Sequence, residues 1–305
     1  MTNEENEKLS HFEALKAKDG INQPASEPEL TIAPAPQIGH GRVDKSLMPF
    51  GGKQYPESME FDVRLAGVNE IRHWSTVSDN MHPTKLYTYF NDIVQKCVKV
   101  HGGTWQDIKE ADRLWFVMYI HELTFIEAER PAVLNAKCKN TSCGEEFKAK
   151  LYKEIIQFEV PDEAVHKYIN KATGSFHLQT KSYGEVILTI PTLKTGIALM
   201  AYYNKQKEDW IEKNTTFLDI ATYMIQPHQT PTEGLFNALY ADYMSWDSKK
   251  LSTMIGLVAK VKLVPRQTFK VKCPKCGSET DQALDLEGGI RSIFLPVSDI
   301  ADELI

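Results

Sequence analysis

Four of the five cysteines in this 305-residue chain stand in two close pairs, Cys138/Cys143 and Cys273/Cys276. A C-x4-C bend and a C-x2-C bend each offer two thiolates, and two such bends complete the four tetrahedral ligands that Zn2+ takes in structural sites. One shared zinc site would therefore tie together two segments about 130 positions apart. The second bend, Val-Lys-Cys273-Pro-Lys-Cys276-Gly277, has Pro and Gly where a knuckle turns; Cys138-Lys-Asn-Thr-Ser-Cys143-Gly144 is a looser version. Each pair ends in Cys-Gly, and a glycine there can adopt positive φ and let backbone N–H groups face the sulfurs. Two disulfide-prone turns without metal, or two separate sites completed by histidines, are the alternatives, although no histidine lies close to either turn. The fifth cysteine, Cys97, falls in a helical pattern and reads as a small buried hydrophobe.

Paired cysteines in a chain of this size suit a reducing compartment, where thiols serve metals. The N-terminus, Met-Thr-Asn-Glu-Glu-Asn-Glu, is the opposite of a basic signal-peptide start, and no apolar run approaches the length of a membrane span, so the expectation is a cytosolic chain. A net charge of −6 disfavours a surface that tracks phosphates and points to protein partners.

The hydropathy pattern predicts an α+β fold in three parts. Residues 1–45 read as a flexible acidic and Pro-rich arm, with Phe12 and Leu15 on a short charged segment. Residues 46–160 form a first α+β half-unit: a glycine turn, the alternating strand Met59–Leu65, a helix from Pro83 to Gly102-Gly103, a helix over 108–123, and the Cys138/Cys143 knuckle. Residues 161–305 repeat the order with a hairpin over 176–190, helices to about Ser245, a helix from Asp247 and the Cys273/Cys276 knuckle. Asp112 precedes Cys138 by the same interval as Asp247 precedes Cys273, Ile120 matches Ile255, and a lysine precedes each first cysteine. That pattern suggests two related half-units joined by the knuckle pair, the alternative being two helix-then-hairpin segments that happen to share a length. Asp112 and Asp247 both stand near predicted helix starts, where a carboxylate caps exposed N–H groups.

Motifs of catalysis are missing. His121-Glu122 opens like a zincin helix, but Phe125 stands where the second histidine belongs. There is no phosphate loop, no G-x-G-x-x-G, no G-x-S-x-G and no deaminase signature, and the five tryptophans lie among helical apolar residues without a basic stripe. The expectation is a protein that is not an enzyme and binds no small-molecule substrate.

Leu47-Met-Pro-Phe-Gly-Gly-Lys-Gln-Tyr-Pro56 resembles the opening Pro-Ser-x-Gly-x-x-Tyr element of the baseplate hub assembly proteins of T-even-type contractile-tailed bacteriophages. Glu70-Ile71 is similar to the Glu-led helix that follows, and Ala111-Asp112-Arg113-Leu114 to that family's Asp-Arg-x-x-Leu helix before its knuckle. With the second knuckle and the final Phe294-Leu295-Pro296, the likeness spans about residues 46 to 297. Phe50 departs from the usual small polar residue, His121-Glu122 from a more usual basic one, and the long arm is an addition. The resemblance implies assembly with other baseplate and tail proteins, as a permanent hub or wedge component or as an assembly factor, in the host cytoplasm and then in the virion tail. The alternatives are a zinc-ribbon accessory factor of phage transcription or recombination, and a metalloenzyme, whose open ligand position four thiolates would close.

Overall fold

The alternation of Met59–Leu65 becomes a strand over Glu60–Val63, with Phe61 and Val63 inside and Glu60 exposed, while Leu65 beyond it is exposed. In a computed structural model the chain is described at residues 39–77, 81–125, 131–286 and 293. Residues 1–38, with Phe12 and Leu15, and the terminal Phe294-Leu295-Pro296 lie outside the described residues. Gly41–Arg42, at the end of the expected arm, form β1, which pairs antiparallel with β2 (Glu60–Val63). Phe61 and Val63 of β2 are buried, while Asp62 turns outward to Arg42 and to His101.

Glu70 of α1 (Val68–Trp74) reaches back to the Gly67 N–H, closing the turn at the helix start. The next helix, α2 (Pro83–Cys97), buries Ile93, Val94 and Cys97 of its predicted stripe. It stops short of the glycines, because Val98–His101 leave it as β3 and pair with β2. Val98 and Val100 are β-branched, and the partner that makes them a strand lies about 40 residues upstream. The helix expected over 108–123 also starts late: Trp105–Asp107 and Glu110–Asp112 are single 3-10 turns, and α3 spans Arg113–Phe125. Trp115, Phe116, Val117, Met118, Ile120 and His121 on α3 are all buried, as befits a helix that is apolar nearly all round.

Both cysteine bends sit on antiparallel hairpins. The first joins β4 (Ala132–Lys137) to β5 (Glu146–Leu151). After β6 (Ile156–Glu159) come a second three-stranded sheet of β7 (Ile169–Asn170), β8 (Ser175–Thr180) and β9 (Gly184–Leu188), then α4 (Leu193–Tyr203), α5 (Glu208–Lys213), α6 (Thr215–Met224), α7 (Glu233–Met244) and α8 (Ser248–Val261). The second cysteine hairpin, β10 (Val264–Lys272) with β11 (Glu279–Ala283), closes the order, and β10 also pairs with β6. The fold is thus α+β.

Three apolar clusters are formed among the described residues. The first runs from Val43 to Ile156 and takes in Phe269, Val271, Leu286 and Ile293 from the far end of the chain. The second is made by the β7–β9 sheet with α6 and α8, and includes Ala111. The third is an aromatic cluster among α4 to α7, where Phe217 meets Trp210, Tyr240 and Tyr243 edge-on or tilted.

A backbone kink joins the first two clusters. Phe50, Gly51 and Gly52 all lie in the left-handed region, at φ 57°, 61° and 67°. Glycine adopts it freely, but a bulky side chain does so at a cost of about 1–3 kcal/mol unless its surroundings hold it. The Phe50 ring is held edge-on to His166, with ring centres 4.8 Å apart, and packs on the second cluster, while Met48 and Tyr55 on either side of the kink are buried in the first.

Candidate metal centre

Hydrogen bonds at each bend shape the two hairpin tips. Cys138 N–H donates to Glu145 O at 2.8 Å and Cys273 N–H to Ser278 O at 2.9 Å, closing the hairpins over the turns. Gly144 and Gly277 carry the turns at φ 59° and 73°, the conformation expected of them. The backbone N–H groups of Glu145, Ser278 and Asn140 favour the thiolate forms of Cys143, Cys276 and Cys138 respectively. Asn140 braces the first tip by accepting from Ser142 N–H at 3.0 Å and reaching Ser278 Oγ on the second tip at 3.2 Å.

The four thiols from the two hairpins meet. All four sulfurs lie within 4.8 Å of one another, and two approaches cross between hairpins: Cys138 to Cys276 at 3.6 Å, Cys143 to Cys273 at 3.8 Å. Four sulfurs about 2.3 Å from a central ion stand at tetrahedron corners about 3.8 Å apart, so this is the spacing a four-thiolate ion site requires. It is far too wide for disulfides, and all four cysteines are free thiols. Ser278 pulls the Cys276 thiol down to about 6, first through its hydroxyl, 3.2 Å from the sulfur, and then through its N–H. Cys138 and Cys273 are buried, Cys143 is half-buried and Cys276 is exposed, so the cluster has one face to water. The four could hold a metal ion, and each bend supplies two of the ligands.

Residues that the sequence pattern did not single out fix the hairpins to each other. Gln282 on β11 is bonded through its side-chain amide to both backbone groups of Lys137, the residue before Cys138. Asn135 N–H donates to Asp285 O at 2.8 Å, and Leu134 forms a bridge with Leu286. Outside the cluster, Lys275 pairs with Glu145 across the two tips at 2.7 Å.

The remaining residues singled out from sequence resolve as follows. Cys97 is buried and its thiol is pushed up to about 12 by that burial, as an inert core residue should be. His121 is a satisfied core histidine: Nε2 accepts from Ala132 N–H at 3.0 Å, which leaves Nδ1 as the donor to Ile293 O at 2.5 Å. Asp247 caps α8 by accepting from Lys250 N–H at 2.6 Å. Asp112, expected to cap its helix in the same way, instead points into the interior and accepts from Gln54 and Tyr55. The two aspartates at matching sequence offsets therefore occupy different surroundings, one exposed and one fully buried.

No protein-family description, no curated protein and no solved structure matches the chain. Among the described residues no helix is long and apolar enough to cross a membrane.

Proposed function

We infer that the four cysteines bind one zinc ion and that the chain is a non-enzymatic component of a contractile phage tail baseplate, acting as a hub or wedge subunit or as an assembly factor. The spacing of the sulfurs across the two hairpins carries the zinc reading. Four thiolates suit a closed structural site, and such sites contribute about 10–16 kcal/mol in isolated zinc-finger peptides, comparable with the whole stability of a domain. Here the ion would clasp the last hairpin of the chain onto the first, and on this reading the two hairpins belong to two related half-units.

The baseplate reading rests on the resemblance and is supported by one contact. Tyr55, from the Pro-Ser-x-Gly-x-x-Tyr-like element, donates to Asp112, from the Asp-Arg-x-x-Leu-like helix, at 2.6 Å. Two motifs 57 positions apart thus form one interior joint, which gives a physical reason for them to occur together. The cysteine hairpins carry several lysines, but Lys137, Lys270 and Lys275 face Glu146, Glu279 and Glu145, and the whole chain is acidic; protein partners are favoured over nucleic acid.

Metal per purified chain tests the site: about one zinc is expected, lost in Cys143→Ser and in Cys276→Ser alike. Loss from one substitution only would refute a shared ion. Mass spectrometry of purified virions and of baseplate intermediates tests the assignment. Presence in virions marks a permanent subunit, presence in intermediates alone marks an assembly factor, and absence from both overturns the reading.

A further inference from the structure

Three buried side-chain oxygens among the described residues have no hydrogen-bond partner, Gln54 Oε1, Asp112 Oδ1 and Thr189 Oγ1, and the first two belong to side chains bonded to each other. Gln54 Nε2 donates to Asp112 Oδ2 at 2.8 Å and to Pro49 O at 3.0 Å. Turning the amide over would set its oxygen against two acceptors, so its orientation is fixed. Tyr55 donates to the same Oδ2 at 2.6 Å while accepting from Lys109 N–H at 2.9 Å. Both side-chain donors bonded to Asp112 thus reach Oδ2, and what both remaining oxygens lack is a donor. Gln54 and Asp112 are each 0% exposed.

The group lies where the first apolar cluster meets the second. Tyr55 belongs to the first, Ala111 beside Asp112 to the second, and Phe50 packs against the second. Gly174, in the turn between β7 and β8, lies so close that a Cβ there would stand 2.3 Å from Gln54 O.

We propose that Asp112 is an un-ionised carboxylic acid in the folded protein, carrying its proton on Oδ1 with Gln54 Oε1 as the acceptor on offer, and that this acid–amide pair is a proton-dependent joint between the two clusters. A buried carboxylate needs a paired cation, and this one has none in contact. Lys109, also buried, makes no ion pair among the described residues. The other charges nearby are engaged or face water: Glu110 with Arg113 and Tyr87, Asp107 with Lys194, Lys171 with Glu57. Arg266, Lys270 and Lys272 on β10, which packs against the Glu110–Asp112 turn, are exposed. Burial pushes Asp112 up to about 7, against the bonds from Tyr55 and Gln54 and the charge of Lys109, and burial brings Lys109 down to about 8.

The direction of the pH effect follows. An unfolded aspartate releases its proton near about 3.9, whereas the folded one keeps it to about 7. The folded state is thus favoured by this group in acid, and that advantage is lost as pH rises from about 4 to about 7, with no further change above. Within that window the unfolding constant should rise by up to about tenfold per pH unit.

Asp112→Asn in the full chain is the test, because an amide N–H can stand where the proton sits while the amide oxygen still serves Tyr55 and Gln54. The ratio of wild-type to Asp112→Asn unfolding constants, measured in urea from pH 5 to pH 8.5, should climb steeply to about 7 and then level. Infrared spectra with 13C-carboxyl aspartate should show an un-ionised carboxyl band at pH 6 that fades near neutrality and is missing from Asp112→Asn. Tyr55→Phe, which removes one bond to Oδ2, should shift that band and so identifies it even if the asparagine variant fails to fold. A carboxyl already ionised at pH 6, or a ratio that does not change with pH, overturns the proposal.

Discussion

Gln282 substitutes for a neighbouring strand: its side-chain Nε2 donates to Lys137 O at 2.7 Å, and its Oε1 accepts from Lys137 N–H at 3.2 Å. A third bond, from Nε2 to Thr280 Oγ1 at 2.7 Å, holds the amide in place. Replacing it with leucine, Gln282→Leu, keeps the bulk and deletes all three bonds. Stability should fall by about 1–3 kcal/mol, measured by urea unfolding, and any metal held by the cysteines should be lost more readily to a competing chelator. Unchanged midpoint and unchanged competition would show that the cysteine hairpins keep their register without it.

His121 should make the protein acid-sensitive. Its buried ring is held below the usual imidazole value by burial, and as a neutral ring it accepts the Ala132 N–H at the start of β4. The folded state therefore binds fewer protons than the unfolded one below about pH 6.5, and stability falls as the solution is acidified through that value. His121→Gln can keep a donor and an acceptor without titrating, so relative to the parent chain it should gain stability on acidification from pH 7 to pH 5. Since Asp112 is proposed to act in the opposite sense over much of this range, the parent chain should show a shallow profile, and the two single variants should tilt it in opposite directions.

Two glycines in turns of the same sheet separate conformational strain from collision. Gly174 and Gly184 both have φ 69°, but a Cβ at Gly184 meets nothing within 4 Å, whereas one at Gly174 would overlap the Gln54 backbone. Gly184→Ala should cost about 1–2 kcal/mol, the left-handed strain alone, and Gly174→Ala roughly 3 kcal/mol or more. Equal losses in denaturant unfolding would mean that the kink at Phe50–Gly52 yields easily.

Asp247→Ala removes an exposed helix cap and should cost about 1 kcal/mol. The same substitution at Asp112 strips the acceptor from Tyr55 and Gln54 in the interior and should cost several times more. Comparing the two midpoints tests whether the matching offsets in sequence conceal different duties.

Local chemistry was readable in the sequence wherever it decided the outcome. The cysteine spacing, the glycines after each pair, the β2 alternation, the Pro83 helix start and the Asp247 cap are all set within a few residues, and all appear in the fold. Val98–His101 became a strand because of β2, and Asp112 an interior acceptor because of Gln54 and Tyr55, partners that no local pattern announces. Gln282 had no signal at all: a glutamine alternating with polar neighbours in a strand is ordinary until Lys137 is placed beside it.

The crossing of the cysteine hairpins also sets a timetable for synthesis. Cys143 leaves the ribosome 130 residues ahead of Cys273, a delay of about 7–26 seconds at about 5–20 residues per second. Through that interval the nascent chain presents one bare thiol pair with no counterpart, so bringing the four sulfurs into one cluster requires that pair to stay reduced until the far end of the same polypeptide arrives.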